Sequence, residues 1–420
     1  MNPFFHRLAP TFVMILSMVT TLPLTLQGAP DGAIAEGVDP STSTWNPQFD
    51  HRIRQDSFMR SGAAFAHLPN GGIVRFSANR TSVSRNAGKT WSEPLPVSVG
   101  DGHSVSAAKL SVSAEGVYVL AYMNSAESVW EWDSTTNEMS AQSKLPVYAL
   151  RSSDGGATWS DPVCIFEGRA GALTDIITTR ENTIVLPITG YRREPSRAVQ
   201  FVMVTADQGS TWTQRIIDIG GHGHHDGAME PTMVELDDGR LWMLIRTTHD
   251  WFYECFSSDG GLTWTSPVQN EISASSSPGM IRRLASGRLM LVWNRVRPEG
   301  INESMWSEQP LARRGGGFAI KPSSWHREEV SLAISDDDGS TWSTPVVIAR
   351  QKGGWLSYPR LFEPTPGEIK LSLGYNMEIV AGPKAVPRGA LFLALREENF
   401  IEPASNELSG KGPGKKQSTP

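Results

Sequence analysis

An eight-residue pattern, [ST]-x-[DN]-x-G-x-T-W, recurs five times along this chain and leaves it few folds to adopt. It occupies Ser84–Trp91, Ser152–Trp159, Thr205–Trp212, Ser257–Trp264 and Ser335–Trp342, so successive Trp residues lie 68, 53, 52 and 78 positions apart. Each octet reads as a hairpin. The Asp or Asn at the third position accepts hydrogen bonds from neighbouring backbone N–H groups, as in an Asx turn. Gly at the fifth position supplies a positive φ. Thr begins the return strand, and Trp is a large apolar plug. A calcium-loop reading of Asp-x-Asp-Gly fails, because no Glu follows at EF-hand spacing.

A second pattern interleaves with the first. Six times a polar turn leads into an apolar strand: at Gly71-Gly72, Gly116, Asn182, Gly239, Gly287 and Gly367. Each of the first five precedes one octet, whereas the sixth is followed by Leu391–Arg396. Turn–strand–strand–hairpin units of about 50 residues are the sequence form of a propeller. Six such turns predict an all-β, six-bladed β-propeller. No long helical periodicity competes with that reading.

Composition narrows the function classes. The 420 residues carry a net charge of −6, with no basic excess to suggest a nucleic-acid partner. Gly (39) and Pro (28) are frequent enough for a turn-rich fold but too few for a low-complexity chain. Cys164 and Cys255 sit in strand-like runs and read as two buried thiols, since a chain this long needs no disulfide staples. The first residues join a basic start to an apolar run, Leu8 to Leu26, and an Ala33-Ile34-Ala35 motif. That is the three-part form of a secretory signal peptide. The expected organisation is a leader at 1–35 cleaved after Ala35, with Ala29 as the alternative site, a linker at 36–50, the propeller at 51–400 and a disordered tail at 401–420. The mature protein is then secreted or periplasmic, with no integral membrane segment.

The octets resemble the Asp boxes, or BNR repeats, of the sialidase superfamily, and about 50–400 resembles a six-bladed sialidase propeller. Asp boxes specify the scaffold and not its activity. The resemblance implies retaining exo-hydrolysis of a terminal sialic acid or a related carboxylated sugar, with no cofactor and no metal. In that family three arginines hold the sugar carboxylate, as the planar, permanently charged guanidinium suits a bidentate anion. A Tyr is the nucleophile and a Glu takes its proton. Carried over residue by residue, Tyr358 is the expected nucleophile and Glu230 its base. Arg246 resembles the second arginine and Arg327 the third. Arg60 is favoured as the first, with Arg54 as competitor. Glu378, 20 residues beyond Tyr358, is placed to brace the first arginine.

One part of the family pattern is absent. The acid/base Asp belongs after the first-blade strand, yet no Asp or Glu lies between Arg60 and Trp91. Arg80 alone stands for the basic residue there. Three readings remain open. In the first, Asp101, His103, His224, His225 or Asp226 supplies the acid or touches the substrate. In the second, the dense cluster His222, His224, His225 and Asp226 performs different chemistry, as a glycosidase or lyase on another acidic sugar. In the third, the propeller binds acidic glycans without turnover. That cluster also reads as a plain polar loop, and its spacing is not diagnostic of zinc. The partners implied are sialylated or other acidic glycans.

Overall fold

The computed structural model describes residues 47–59, 63–296, 312–313, 323–324, 326–351, 355–376 and 388–401. The expected leader, most of the expected linker, the tail beyond 401, Arg60 and Glu378 lie outside the described residues.

Six antiparallel sheets follow one another along the chain. Blade 1 comprises Ala64–His67, Ile73–Ser77, Arg80–Ser84 and Leu95–Pro96. Blade 2 comprises Val105–Val112, Tyr118–Asn124, Val147–Ser152 and Val163–Phe166. Blade 3 has Ala170–Ala172 and Ile177–Thr178 in its first position, then Ile184–Arg192, Arg197–Thr205 and Thr213–Ile217. Blade 4 has Met229–Glu235, Leu241–Arg246, Trp251–Ser257 and Val268–Ser273. Blade 5 has Met280–Arg283, Leu289–Trp293, Glu329–Ser335 and Val346–Arg350. Blade 6 has Trp355–Thr365, Glu368–Asn376 and Arg388–Arg396, completed by Arg54–Gln55. First strands contact one another between blades 1 and 2, 2 and 3, 4 and 5, and 5 and 6, so they line the centre of the ring. The six polar turns each lead into a second strand, as expected.

The core lies between blades rather than inside one body. Five buried apolar clusters fill the interfaces of blades 1–2, 2–3, 3–4, 4–5 and 5–6. A second strand therefore has protein on both faces, which accounts for continuous apolar runs such as Leu241–Ile245 in place of alternation. The sixth interface is aromatic. Phe58 and His67 stack on Phe362, with ring centroids 6.0 and 4.7 Å away, and Phe65 packs against it at a tilt, 5.4 Å away. The entering chain stitches this seam. Gln48–Phe49 adds a fifth strand to blade 5, within the segment expected as linker, and Arg54–Gln55 becomes the outer strand of blade 6.

Every octet joins the third strand of its blade to the fourth. Blade 6 borrows its fourth strand from the other end of the chain, has no such hairpin, and so carries no octet. The octet hydrogen bonds repeat. The first-position hydroxyl accepts from the Gly N–H at 2.8–2.9 Å in all five. The Asp or Asn oxygen accepts from the Thr N–H at 2.8–2.9 Å. Four of the Trp rings, Trp159, Trp212, Trp264 and Trp342, pack half-buried against the interblade clusters. Cys255 is buried as expected, whereas Cys164 is only half-buried, because it lies on an outermost strand with no blade beyond it.

The octet glycines also lock neighbouring blades together. Gly339 has φ +83°, and a Cβ there would lie 2.4 Å from the Trp242 ring of blade 4. Gly239, at φ +86° in a turn, faces open space. Both substitutions to Ala meet left-handed strain of about 1–2 kcal/mol. Gly339→Ala also has to displace an indole, which adds about 1–3 kcal/mol. Urea unfolding is expected to show Gly339→Ala as the more destabilising change by that margin; equal losses would refute the interblade role of the octet.

Candidate active site

Two first strands are bulged where site residues fall. In Met229–Glu235 the register shifts between Met229 and Thr232, and in Trp355–Thr365 between Ser357 and Arg360. Glu230 (φ 26°) and Tyr358 (φ 57°) sit at these bulges with positive φ, uncommon for residues bearing a Cβ. Bulges re-aim side chains, and such backbone strain persists where surrounding structure enforces it. Here it turns two side chains from different blades toward each other. The Tyr358 hydroxyl donates to Glu230 Oε1 at 3.1 Å, and Glu230 Oε2 accepts from the Arg246 guanidinium.

Both ends of this chain of contacts are anchored. The Glu230 N–H donates to Thr189 Oγ1 at 2.8 Å. Thr189 is held by the fully buried Gln200, whose amide also donates to the Ala228 carbonyl at 2.7 Å. Arg246 ends the second strand of blade 4, and Arg327 precedes the third strand of blade 5; each is 3% exposed. Ser276, in the connector between those blades, joins them. Its hydroxyl accepts from Arg246 Nε at 3.3 Å and its carbonyl from Arg327 at 2.6 Å. The Arg327 guanidinium carbon lies 5.0 Å from the Trp355 ring centroid and 5.7 Å from that of Tyr358.

The electrostatics suit a neutral phenol beside a carboxylate. Burial raises the Tyr358 pKa, Glu230 raises it further, and Arg246 and Arg327 offset only part of this. The phenol is therefore protonated near neutral pH and needs a base before it can attack, and Glu230 is in contact with it. Burial, with repulsion from Arg246, brings Arg327 down to about 10, still charged at neutral pH. Burial also disfavours the Arg246 charge, but Glu230 and Tyr358 outweigh it, and the Arg246 pKa is raised. Two guanidiniums against one carboxylate leave a net positive pocket.

The remaining candidates fall elsewhere. Arg54 is exposed on the outer strand of blade 6, so the competing assignment of the first arginine does not bring it to Tyr358. Asp101 is exposed in the turn before blade 2. The Tyr122 hydroxyl donates to the Val99 carbonyl at 2.6 Å, and His103 Nδ1 meets the same hydroxyl at 2.6 Å. With the hydroxyl proton already committed, Nδ1–H is the donor there. Asp226 is buried and holds its own loop, accepting from the His222 and Gly227 N–H groups and the Thr248 hydroxyl at 2.9–3.0 Å. His222 pairs instead with Glu138, 3.1 Å away. The His224 ring packs at a tilt against His225, Trp130 and Trp132, with centroids 4.2, 4.9 and 5.3 Å away. Among the described residues, no three His, Cys, Asp or Glu converge as a metal site.

Sequence reasoning missed the wall beside the pocket. Tyr191 lies near the end of the second strand of blade 3 and feels the charges of Glu230, Arg169 and Arg246. Its hydroxyl donates to the His224 carbonyl at 3.0 Å, and Arg169 covers Trp130 at 4.6 Å. Trp130 and Trp132 lie in the long blade-2 insertion between the second and third strands, a position that could have marked them. The missing acid has a structural correlate. Strands Ile73–Ser77 and Arg80–Ser84 join through Ala78-Asn79, with φ 51° and 55°, a two-residue hairpin turn with no loop to carry a carboxylate.

Comparison with known proteins places this geometry. The BNR repeat-like domain profile matches residues 77–371, and the chain belongs to that family, within the sialidase superfamily. A sialidase of Paraclostridium sordellii is 28% identical over 165 residues, covering 35% of this chain and 39% of the relative's length. A solved protein of unknown function from Dyadobacter fermentans covers 83% of this chain and all of its own, with a TM-score of 0.51 at 17% identity. The NanB sialidase of Streptococcus pneumoniae superposes with a TM-score of 0.50 at 12% identity, over 84% of this chain and 71% of its own. At these identities the solved structures share the fold alone.

Burial, with Arg169 nearby, lowers the His224 pKa to about 4 from 6.5. The unfolded chain then binds the proton first, so stability falls as pH drops from about 6.5 to 4. In His224→Phe this acid loss, followed by urea unfolding at pH 7 and pH 4.5, is expected to shrink by roughly 2 kcal/mol; an unchanged pH slope would contradict the burial of a neutral ring.

Proposed function

We propose that the protein is a sialidase-like glycoside hydrolase that releases a terminal sialic acid or related carboxylated sugar with retention. The observation that carries this reading is the contact chain Tyr358–Glu230–Arg246, with Arg327 against the Tyr358 ring. Arg246 and Arg327 hold the substrate carboxylate. Glu230 accepts the phenol proton as Tyr358 Oη attacks the anomeric carbon, and the glycosidic oxygen leaves. Water then attacks the anomeric carbon and the tyrosyl–sugar bond breaks; the phenolate recovers its proton from Glu230, and the proton lost by the water balances, through solvent, the one taken up by the departed oxygen. A neutral phenol suits this task, because a carboxylate nucleophile would repel the carboxylate of the substrate.

The tight Ala78-Asn79 turn supports a qualification on the leaving group. Without an acid there, departure of a sugar alkoxide is slow and that of a phenolate is not, as protonation is worth about 10²–10⁴ in rate. Aryl sialosides are expected to be cleaved faster than sialyl-lactose-type substrates by that order. Tyr358→Phe is expected to lose at least about 100-fold on the aryl substrate with its fold intact. Undiminished activity in Tyr358→Phe would remove the mechanism. Tight binding of an acidic glycan with no turnover of either substrate would favour the binding-module reading instead. The leader-like segment also supports export, for which the expected mature N-terminus is Glu36; N-terminal sequencing of the secreted protein checks it.

A further inference from the structure

The first two strands of blade 4 are paired from Glu235–Leu241 to Thr232–Leu244, break, and close on a last pair, Met229 with Arg246. The first strand begins at Met229 and the second ends at Arg246, so this pair is the open end of the ladder. Glu230 stands in the break. A ladder interrupted in this way does not by itself fix where a bulged side chain points.

One side chain bridges the two segments just past that last pair. Asp226 Oδ1 accepts from the Thr248 hydroxyl at 2.9 Å, and Thr248 lies two residues beyond Arg246. The same carboxylate accepts from the Gly227 N–H at 2.9 Å and the His222 N–H at 3.0 Å. Asp226 and Thr248 are both buried. The loop wraps the carboxylate closely: Gly221 has φ +111°, and a Cβ there would lie 2.9 Å from the Asp226 carboxyl carbon. Blade 3 clamps the same loop. The Ala198 N–H donates to the Asp226 carbonyl at 2.8 Å, and the Ala228 N–H to the Ala198 carbonyl at 2.9 Å. The Gly223 N–H donates to the carbonyl of the fully buried Ser196 at 2.7 Å. The Asp226 side chain therefore ties a loop anchored on blade 3 to the strand end that carries Arg246. An amide at this position would turn its NH2 group toward one of the donors that Asp226 accepts from, so the position calls for a carboxylate.

We propose that Asp226 is a positioning residue: through Thr248 it holds the segment leading to Glu230 against the end of the Arg246 strand, and so fixes the aim of Glu230 at Tyr358. The inference rests on the catalytic reading given above. Arg246 is also held by the Ser276 hydroxyl. Loss of the Asp226–Thr248 bond therefore frees the Glu230 side of the pair, and it misdirects the base rather than the group that holds the substrate carboxylate.

Thr248→Val removes the hydroxyl at nearly constant shape, and Thr248→Ser keeps it. On an aryl sialoside, kcat is expected to fall at least about tenfold in Thr248→Val, since a displacement of about 1 Å at a reacting group costs up to about 100-fold. KM should change by less than about threefold, and Thr248→Ser should recover kcat to within about threefold of wild type. A merely structural bond would lower Tm and leave the kcat of the folded protein unchanged, and that result would overturn the proposal. A crystal structure of Thr248→Val tests the same point without turnover. The Tyr358 hydroxyl, 3.1 Å from Glu230 Oε1 in the wild type, should lie beyond hydrogen-bond reach, more than about 3.5 Å away. An unchanged contact would likewise overturn the proposal. A wild-type protein that cleaves no sialoside would contradict the catalytic reading instead, and the crystallographic distance would then decide the positioning role.

Discussion

The Glu230 carboxylate, shared between the Tyr358 phenol and the Arg246 guanidinium, is the contact on which the pocket depends. It joins blade 4 to blade 6 across the ring, and it exists because both first strands are bulged at these residues. A carboxylate so placed does two jobs at once. It balances a buried arginine, and it accepts from a phenol whose pKa burial has raised. The backbone strain at two positive-φ residues is offset by what holds them: Thr189 and Gln200 behind Glu230, and Ser276 behind the arginines.

The scaffold separates this demand from the demand for stability. Strand direction alternates within a blade, so the starts of first and third strands and the ends of second strands share one end of the ring. Glu230, Arg246, Arg327 and Tyr358 all fall at that end. The octets, between third and fourth strands, all fall at the other. There each glycine lies close to a neighbouring element: a Cβ would lie 2.0 Å from Phe58 at Gly88 and 2.4 Å from Trp242 at Gly339, and 3.0–3.2 Å from the nearest side chain at Gly156, Gly209 and Gly261. Interblade packing is thereby fixed at one end, and loops at the opposite end are left to vary.

That division explains what was legible in the sequence. The octet spells out its own hydrogen bonds, since the Ser or Thr, the Asp or Asn, the Gly and the Thr contact residues within four positions of one another. The six polar turns likewise announce six second strands. The pocket was readable only where a residue type is specialised, as with Tyr358, Glu230, Arg246 and Arg327. Ser276, Thr189 and Gln200 were not readable, because a buried Ser or Gln looks like any other until distant blades bring it to an arginine or a backbone N–H. The histidine cluster is dense in the sequence, but His224 packs on aromatic rings, His222 pairs with Glu138 and Asp226 caps its own loop. The absent acid was visible as a gap, and the two-residue turn at Ala78-Asn79 supplies its structural reason.

The central claim is that Tyr358 becomes covalently bonded to the sugar. The most direct measurement is mass spectrometry of the protein after reaction with a fluorinated sialosyl fluoride that forms the intermediate faster than it is hydrolysed. A retaining mechanism at this pocket predicts one added glycosyl group per chain, mapped to the peptide containing Tyr358 and absent from Tyr358→Phe. An adduct on a different residue, or turnover of an aryl sialoside without any adduct at Tyr358, would contradict it.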